Sequence, residues 1–131
     1  MLRQISVKTN KRTEMLDITA LVQKTIQESK VKDGVCYIYV PHTTAGITIN
    51  ESADPNVTED LRNKLDRLIP FEDREYGHTE GNSAAHIKGS IVGHSEVIFI
   101  ENGHLKLGTW QGIHFCEFDG PRSREIWIKI D

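Results

Sequence analysis

Two stretches near the start of the chain, "RQISVKT" (3–9) and "TEMLDIT" (13–19), alternate polar with apolar residues. That period of two is the mark of a β-strand with one solvated face. The period then lengthens. In "ALVQKTIQESK" (20–30), Leu21, Val22 and Ile26 fall on one face of a helix, with Thr19 placed to cap it. A β-branched and aromatic run, "GVCYIYV" (34–40), and an alternating one, "AGITINE" (45–51), predict two further strands. The clearest helix follows: Asp54 suits an N-cap, Pro55 a first helical position, and Val57, Leu61, Leu65 and Leu68 recur at helical spacing before Pro70 ends the pattern. A polar loop, "FEDREYGHTEGN" (71–82), leads to a short helix capped by Asn82 or Ser83 and stopped near Gly93.

The last third reads as strand throughout: "SEVIFIEN" (95–102), "HLKLGTWQGIHFCEF" (104–118) and "REIWIKI" (124–130). Asn102-Gly103 between alternating runs is a strong hairpin signal, and Asp119-Gly120-Pro121 marks a second turn. Strands joined by short turns, with about three helices interspersed, predict an α+β fold built on a mostly antiparallel sheet. No repeat or linker divides residues 1–131, so one domain is expected, as 131 residues would suggest.

Composition narrows the function classes. A net charge of −3 provides no basic field for nucleic acid, so an anionic ligand must be held by local groups. No apolar run approaches the roughly 18 residues that cross a bilayer, and "MLRQISVKTNKR" lacks the apolar core of a secretory signal. The expectation is a cytoplasmic protein with no membrane partner. Cys36 and Cys116 lie in apolar stretches and read as buried thiols.

Of the six histidines, His42 ends an apolar strand and opens a polar patch, "HTTAGITINESADP", whose Thr43 and Thr44 hydroxyls could meet a substrate. His78 and His86 flank the turn "EGNS", and an eight-residue span can fold back to aim both rings at one ion. Three imidazoles with an open fourth position suit a catalytic zinc or related divalent site. Gly81, Asn82 and Ser83 stand at a helix start, where free N–H groups and the helix dipole favour anions, and Lys88 follows within that helix. Arg122 and Arg124 in "DGPRSR" offer guanidinium forks to phosphate oxygens. Glu51 and Glu117 could act as acid, base or partner to a histidine; Asp60, inside a helix, reads as an exposed salt-bridge residue. Gly108 and Gly112 bracket Trp110 and Gln111, marking a bend or close backbone approach that would aim Gln111 at a ligand or a neighbouring chain.

Together, "HTTAGITINESADP", "YGHTEGNSAAHIKGSIVG" and the Gly-Thr-Trp-Gln-Gly stretch with "CEFDGPRSR" resemble the YjbQ-like family, also labelled secondary thiamine-phosphate synthases. The resemblance spans about residues 5–130 and implies a β-sandwich-like α+β fold, a homotrimer and a metal-bearing pocket near the subunit boundaries. It further implies a functional set of His42, His78 and His86 with Gln111 and Glu117. The label implies joining a pyrimidine diphosphate to a thiazole phosphate with release of pyrophosphate. Three histidines suit zinc better than magnesium, which prefers carboxylates and water. A zinc-type hydrolase and a non-catalytic trimeric metal- or small-molecule-binding protein are therefore the alternatives to the synthase.

Overall fold

The computed structural model describes residues 2–131. Strands β1 (Leu2–Lys8) and β2 (Glu14–Asp17) precede α1 (Thr19–Ser29). Next come β3 (Gly34–Tyr39), β4 (Ala45–Glu51), α2 (Pro55–Leu68) and α3 (Ser83–Val92). The chain finishes with β5 (Ser95–Glu101), β6 (His104–Leu105), β7 (Gln111–Glu117) and β8 (Ser123–Ile130). The strands form two antiparallel sheets, one of five in the order β1-β8-β3-β5-β6 and one of three in the order β2-β7-β4.

The alternation seen in the sequence explains how the sheets meet. Ile38, Ile98, Ile126 and Ile128 point inward from the larger sheet, Ile47, Ile113 and Phe115 from the smaller, and Val22 and Ile26 of α1 complete the core between them. The smaller sheet's other face carries Cys116, which packs beside Ala85 of α3 and Leu65 of α2. This is the expected α+β, β-sandwich-like arrangement with three helices. Burial pushes the Cys36 thiol up to about 11 and the Cys116 thiol to about 12, and both cysteines are free and buried.

Two local expectations change. Thr19 is not the cap of α1: Ile18 holds that position, and the Thr19 N–H and hydroxyl both donate to Asp17 Oδ1. The carboxylate takes the cap because it accepts two bonds at once, which leaves Thr19 Oγ1 to accept from the Ile113 N–H, 2.8 Å away. The strand expected over 104–118 breaks into β6 and β7, since the Gln111 side chain accepts the Gly108 N–H and closes a turn between them. At Gly112 the expected close approach is real: a Cβ there would meet Ser52 Cβ at 2.6 Å. The Asp54 cap of α2 and the Asn102-Gly103 hairpin form as expected, the latter with positive φ at both residues.

α2 is the loosest element. Its stripe faces the smaller sheet, yet none of its residues is buried and Leu68 is 66% exposed. α3 sits more tightly. Its Gly89 lies against the start of β4, where a Cβ would stand 3.0 Å from the Thr43 carbonyl and 3.2 Å from that of Ala45.

Candidate functional site

The His78–His86 pair forms in the structure. The loop before α3 folds back so that the two rings meet edge to face, 5.1 Å between centroids and 81° between planes. They line a cleft of about 430 Å³ with Tyr76, Ser83 and Ile87. His78 is exposed and His86 half-buried, and among the described residues no side-chain hydrogen bond engages either ring. The Glu80 carboxylate lies 3.8 Å from His78 Nε2. A neighbouring cleft shares Tyr76, His78 and Ser83 and adds Gly81, whose φ of +80° shapes the turn between the histidines.

This pair fits a metal. Two imidazole nitrogens bound to one tetrahedral zinc at about 2.0–2.1 Å lie roughly 3.3 Å apart, a spacing open to rings this close. His42 does not complete a trio within one chain. Among the described residues no group of three His, Cys, Asp or Glu side chains gathers around a common point. The Nε2 of His42 accepts the Glu125 N–H at 3.0 Å, which ties the ring to the start of β8. Burial lowers its pKa, the Arg124 guanidinium adds to this, and the ring is therefore neutral at pH 7.

Glu117 is corrected most sharply. It is 0% exposed, and both carboxylate oxygens are taken. Oε1 accepts from Thr9 Oγ1 at 2.7 Å and Arg124 Nε at 2.9 Å; Oε2 accepts from Arg124 and, at 3.0 Å, from the Asp119 N–H. Burial alone would raise its pKa, but the Arg124, Thr9 and Asp119 hydrogen bonds outweigh it and hold the carboxyl below its ordinary range. A carboxylate so placed neither reaches a substrate nor exchanges protons at neutral pH. It anchors a buried ion pair, and Arg124 is likewise withdrawn from phosphate binding, donating also to Thr44 Oγ1 at 2.8 Å. Thr44 is buried by that contact, whereas Thr43 stays exposed.

The remaining residues disperse. Glu51 and Gln111 sit opposite one another across β4 and β7, but the Gln111 carbonyl oxygen is spent on the Gly108 N–H. Arg122 is bound to Asp119 through both side chain and carbonyl. Ser83 stays with the histidines, while Asn82 and Lys88 leave them. The reason is helical geometry: His86 and Lys88 are two residues apart on α3, so their side chains diverge by about 200°. Lys88 instead pairs with Asp66 of α2 and lines a different cavity with Asn82, Phe71, Phe118 and Arg12. Nothing in the pattern of residues 9–13 or 54–70 links Arg12 or Asp66 to Lys88: Asp66 meets it from α2 through an ion pair, and Arg12 lines the same cavity from the turn after β1.

A family model described as "UPF0047 protein YjbQ-like" matches residues 3–131. A UPF0047 protein of Methanocaldococcus jannaschii is 59% identical over 99% of this chain and 94% of its own length. The UPF0047 protein YugU of Bacillus subtilis is 54% identical over 99% of this chain and 98% of its own. Among solved structures, a YjbQ/UPF0047 family protein of Clostridium acetobutylicum superposes with a TM-score of 0.95 at 55% identity, covering 98% of this chain and 99% of that one. A conserved hypothetical protein of Thermus thermophilus gives 0.92 at 38% identity, over 98% and 99%.

Proposed function

Because the chain belongs to the YjbQ-like UPF0047 family, matched from residue 3 to residue 131, we propose that it is a metal-dependent enzyme acting on a small phosphorylated substrate. The observation that carries this reading is the His78–His86 pair, two unengaged imidazoles 5.1 Å apart beside the start of α3. His78 and His86 hold the ion, with zinc favoured over magnesium by their donor type. Bound there, the metal would supply Lewis-acid stabilisation of phosphate oxygens. The N–H groups at the start of α3 favour an anion, and the Ser83 hydroxyl lines the same cleft. His42, fixed by Glu125, is the third imidazole of the set and is brought in by assembly rather than by its own fold.

Assembly has its own support. The outer face of the five-stranded sheet exposes Tyr37, Tyr39, Val97 and Phe99 side by side on β3 and β5, with Tyr39 stacked on Trp127. Large contiguous apolar patches of this kind mark association surfaces, and a homotrimer buried across this face is the reading proposed here. His42 follows β3 by three residues, close to that face.

Thiamine phosphate formation is the named candidate reaction. In it the thiazole nitrogen attacks the pyrimidine methylene carbon, the C–O bond to the diphosphate breaks, and pyrophosphate leaves. No helix among the described residues is long and apolar enough to cross a membrane. The test incubates zinc-loaded protein with the pyrimidine diphosphate and the thiazole phosphate. Thiamine phosphate and pyrophosphate should appear together and vanish in His86→Ala. Inorganic phosphate without condensation would favour the hydrolase that an all-imidazole donor set also suits. No turnover of either compound would leave a binding protein.

A further inference from the structure

His114 is 3% exposed in the middle of β7, on the face of the smaller sheet that it shares with Cys116 and that points away from the main core. Its Nδ1 is buried and, among the described residues, has no hydrogen-bond partner. Strand register sets the row around it, with Asp17 of β2 on one side and Thr48 of β4 on the other. α2 roofs this face. It begins just past the end of β4, which lies opposite Gln111, and Leu65 packs beside Cys116, so the helix runs back along β7. One helical turn is about 5.4 Å and two strand residues about 6.6 Å, which brings Leu61 over the His114 row.

Few charges face the ring. β2 contributes Asp17, whose Oδ1 already accepts from Thr19, and β4 contributes the uncharged Thr48. The half-buried stripe of α2, Val57, Leu61 and Leu65, is apolar. Glu59 and Arg62 turn aside into a groove with Lys11 and Glu14, while Asp60 and Lys64 are exposed. A proton on the ring would therefore put a charge under an apolar roof, with Asp17 as its counter-charge and no acceptor at Nδ1, an expensive state. Burial lowers the His114 pKa, and Asp17 raises it by less.

Once α2 lifts, the same ring meets water and titrates near its ordinary value of about 6.5. Because the seated ring's pKa is lowered, the docking of α2 is fully supported above that ordinary value. The support is lost as pH falls through it toward the lowered one. The element that yields is the one held least, since no residue of α2 is buried.

We propose that His114 is a pH-sensitive latch for α2: neutral, it lets the helix seat on the smaller sheet, and protonated in mild acid, it releases the helix. Release also parts Asp66 from Lys88 and unroofs the cavity of about 330 Å³ that both line.

Amide hydrogen exchange of the full chain at pH 7.5 and pH 5.0, each rate divided by its intrinsic value, tests the latch. Residues 61–68 should lose more than about tenfold of their protection at pH 5.0, the factor carried by each pH unit of protonation confined to the open state. The amides of α1 should keep theirs. His114→Phe, which keeps a buried ring and cannot take a proton, should stay protected at both pH values. Unchanged protection of α2 in the wild type, or an equal loss in His114→Phe, would overturn the proposal. Should His114→Phe not fold, the ¹⁵N shifts of the wild-type His114 ring decide. Titration in step with the loss of protection is expected; a ring that titrates while α2 stays protected, or stays neutral while protection is lost, would overturn the latch.

Discussion

Glu117 shows how far a residue's chemistry is set by what surrounds it. Its sequence context, "CEFDGPRSR", places a carboxylate near two arginines and says nothing of which one turns inward. In the fold, Arg124 is 6% exposed and pairs with it, while Arg122 stays outside on Asp119. The pair links Thr9 beside β1, Thr44 before β4 and the 117–124 turn, holding the two sheets' edges in one frame. Because the Glu117 pKa is below its ordinary value, its stabilisation is present above that ordinary value and is lost as pH falls through the lowered one. Glu117→Gln leaves Arg124 buried without its counter-charge and should cost about 3–5 kcal/mol. Urea unfolding between pH 7 and pH 3 checks this: the variant should be less stable at neutral pH and should lose part of the wild-type slope on acidification.

At the scale of elements, the strands and helices were legible wherever a periodic pattern ran beside a strong local signal. The Asp54-Pro55 start of α2 and the Asn102-Gly103 hairpin are such cases. The failures have two causes: a side chain whose decisive bond reaches something distant in sequence, or a short-range bond that the periodic pattern does not encode, such as Gln111 accepting the Gly108 N–H. Asp17 takes the cap role from Thr19 while Thr19 reaches Ile113, and Lys88 finds Asp66. The seating of α3 depends on Gly89 in the same way. A larger residue there meets two carbonyls, those of Thr43 and Ala45, and β4 is held in register by β7 and cannot easily yield. Gly89→Val should therefore destabilise the protein by about 1–3 kcal/mol, as overpacking does. A lowered denaturation midpoint with unchanged urea slope would record that, and wild-type stability would show that α3 has freedom to move.

Across the whole molecule, the sequence assembled one site from residues that the fold deals to several places. His78 and His86 come together because the turn between them closes on itself, a local event that spacing could reveal. His42, Glu117 and Lys88 separate from them because strand pairing and helix phase, invisible in a linear motif, decide where each points. The larger sheet's aromatic outer face was equally hidden, since an alternating strand does not announce which of its faces meets a neighbour.

The central claim is that His78 and His86 form the metal anchor, and calorimetric titration of zinc into the metal-free protein, beside His78→Ala and His86→Ala, tests it most directly. The wild type should bind one zinc per chain, and each variant should bind at least about a hundredfold more weakly, the loss expected on removing one imidazole ligand rather than an outer partner. Wild-type zinc affinity in both variants would contradict the account.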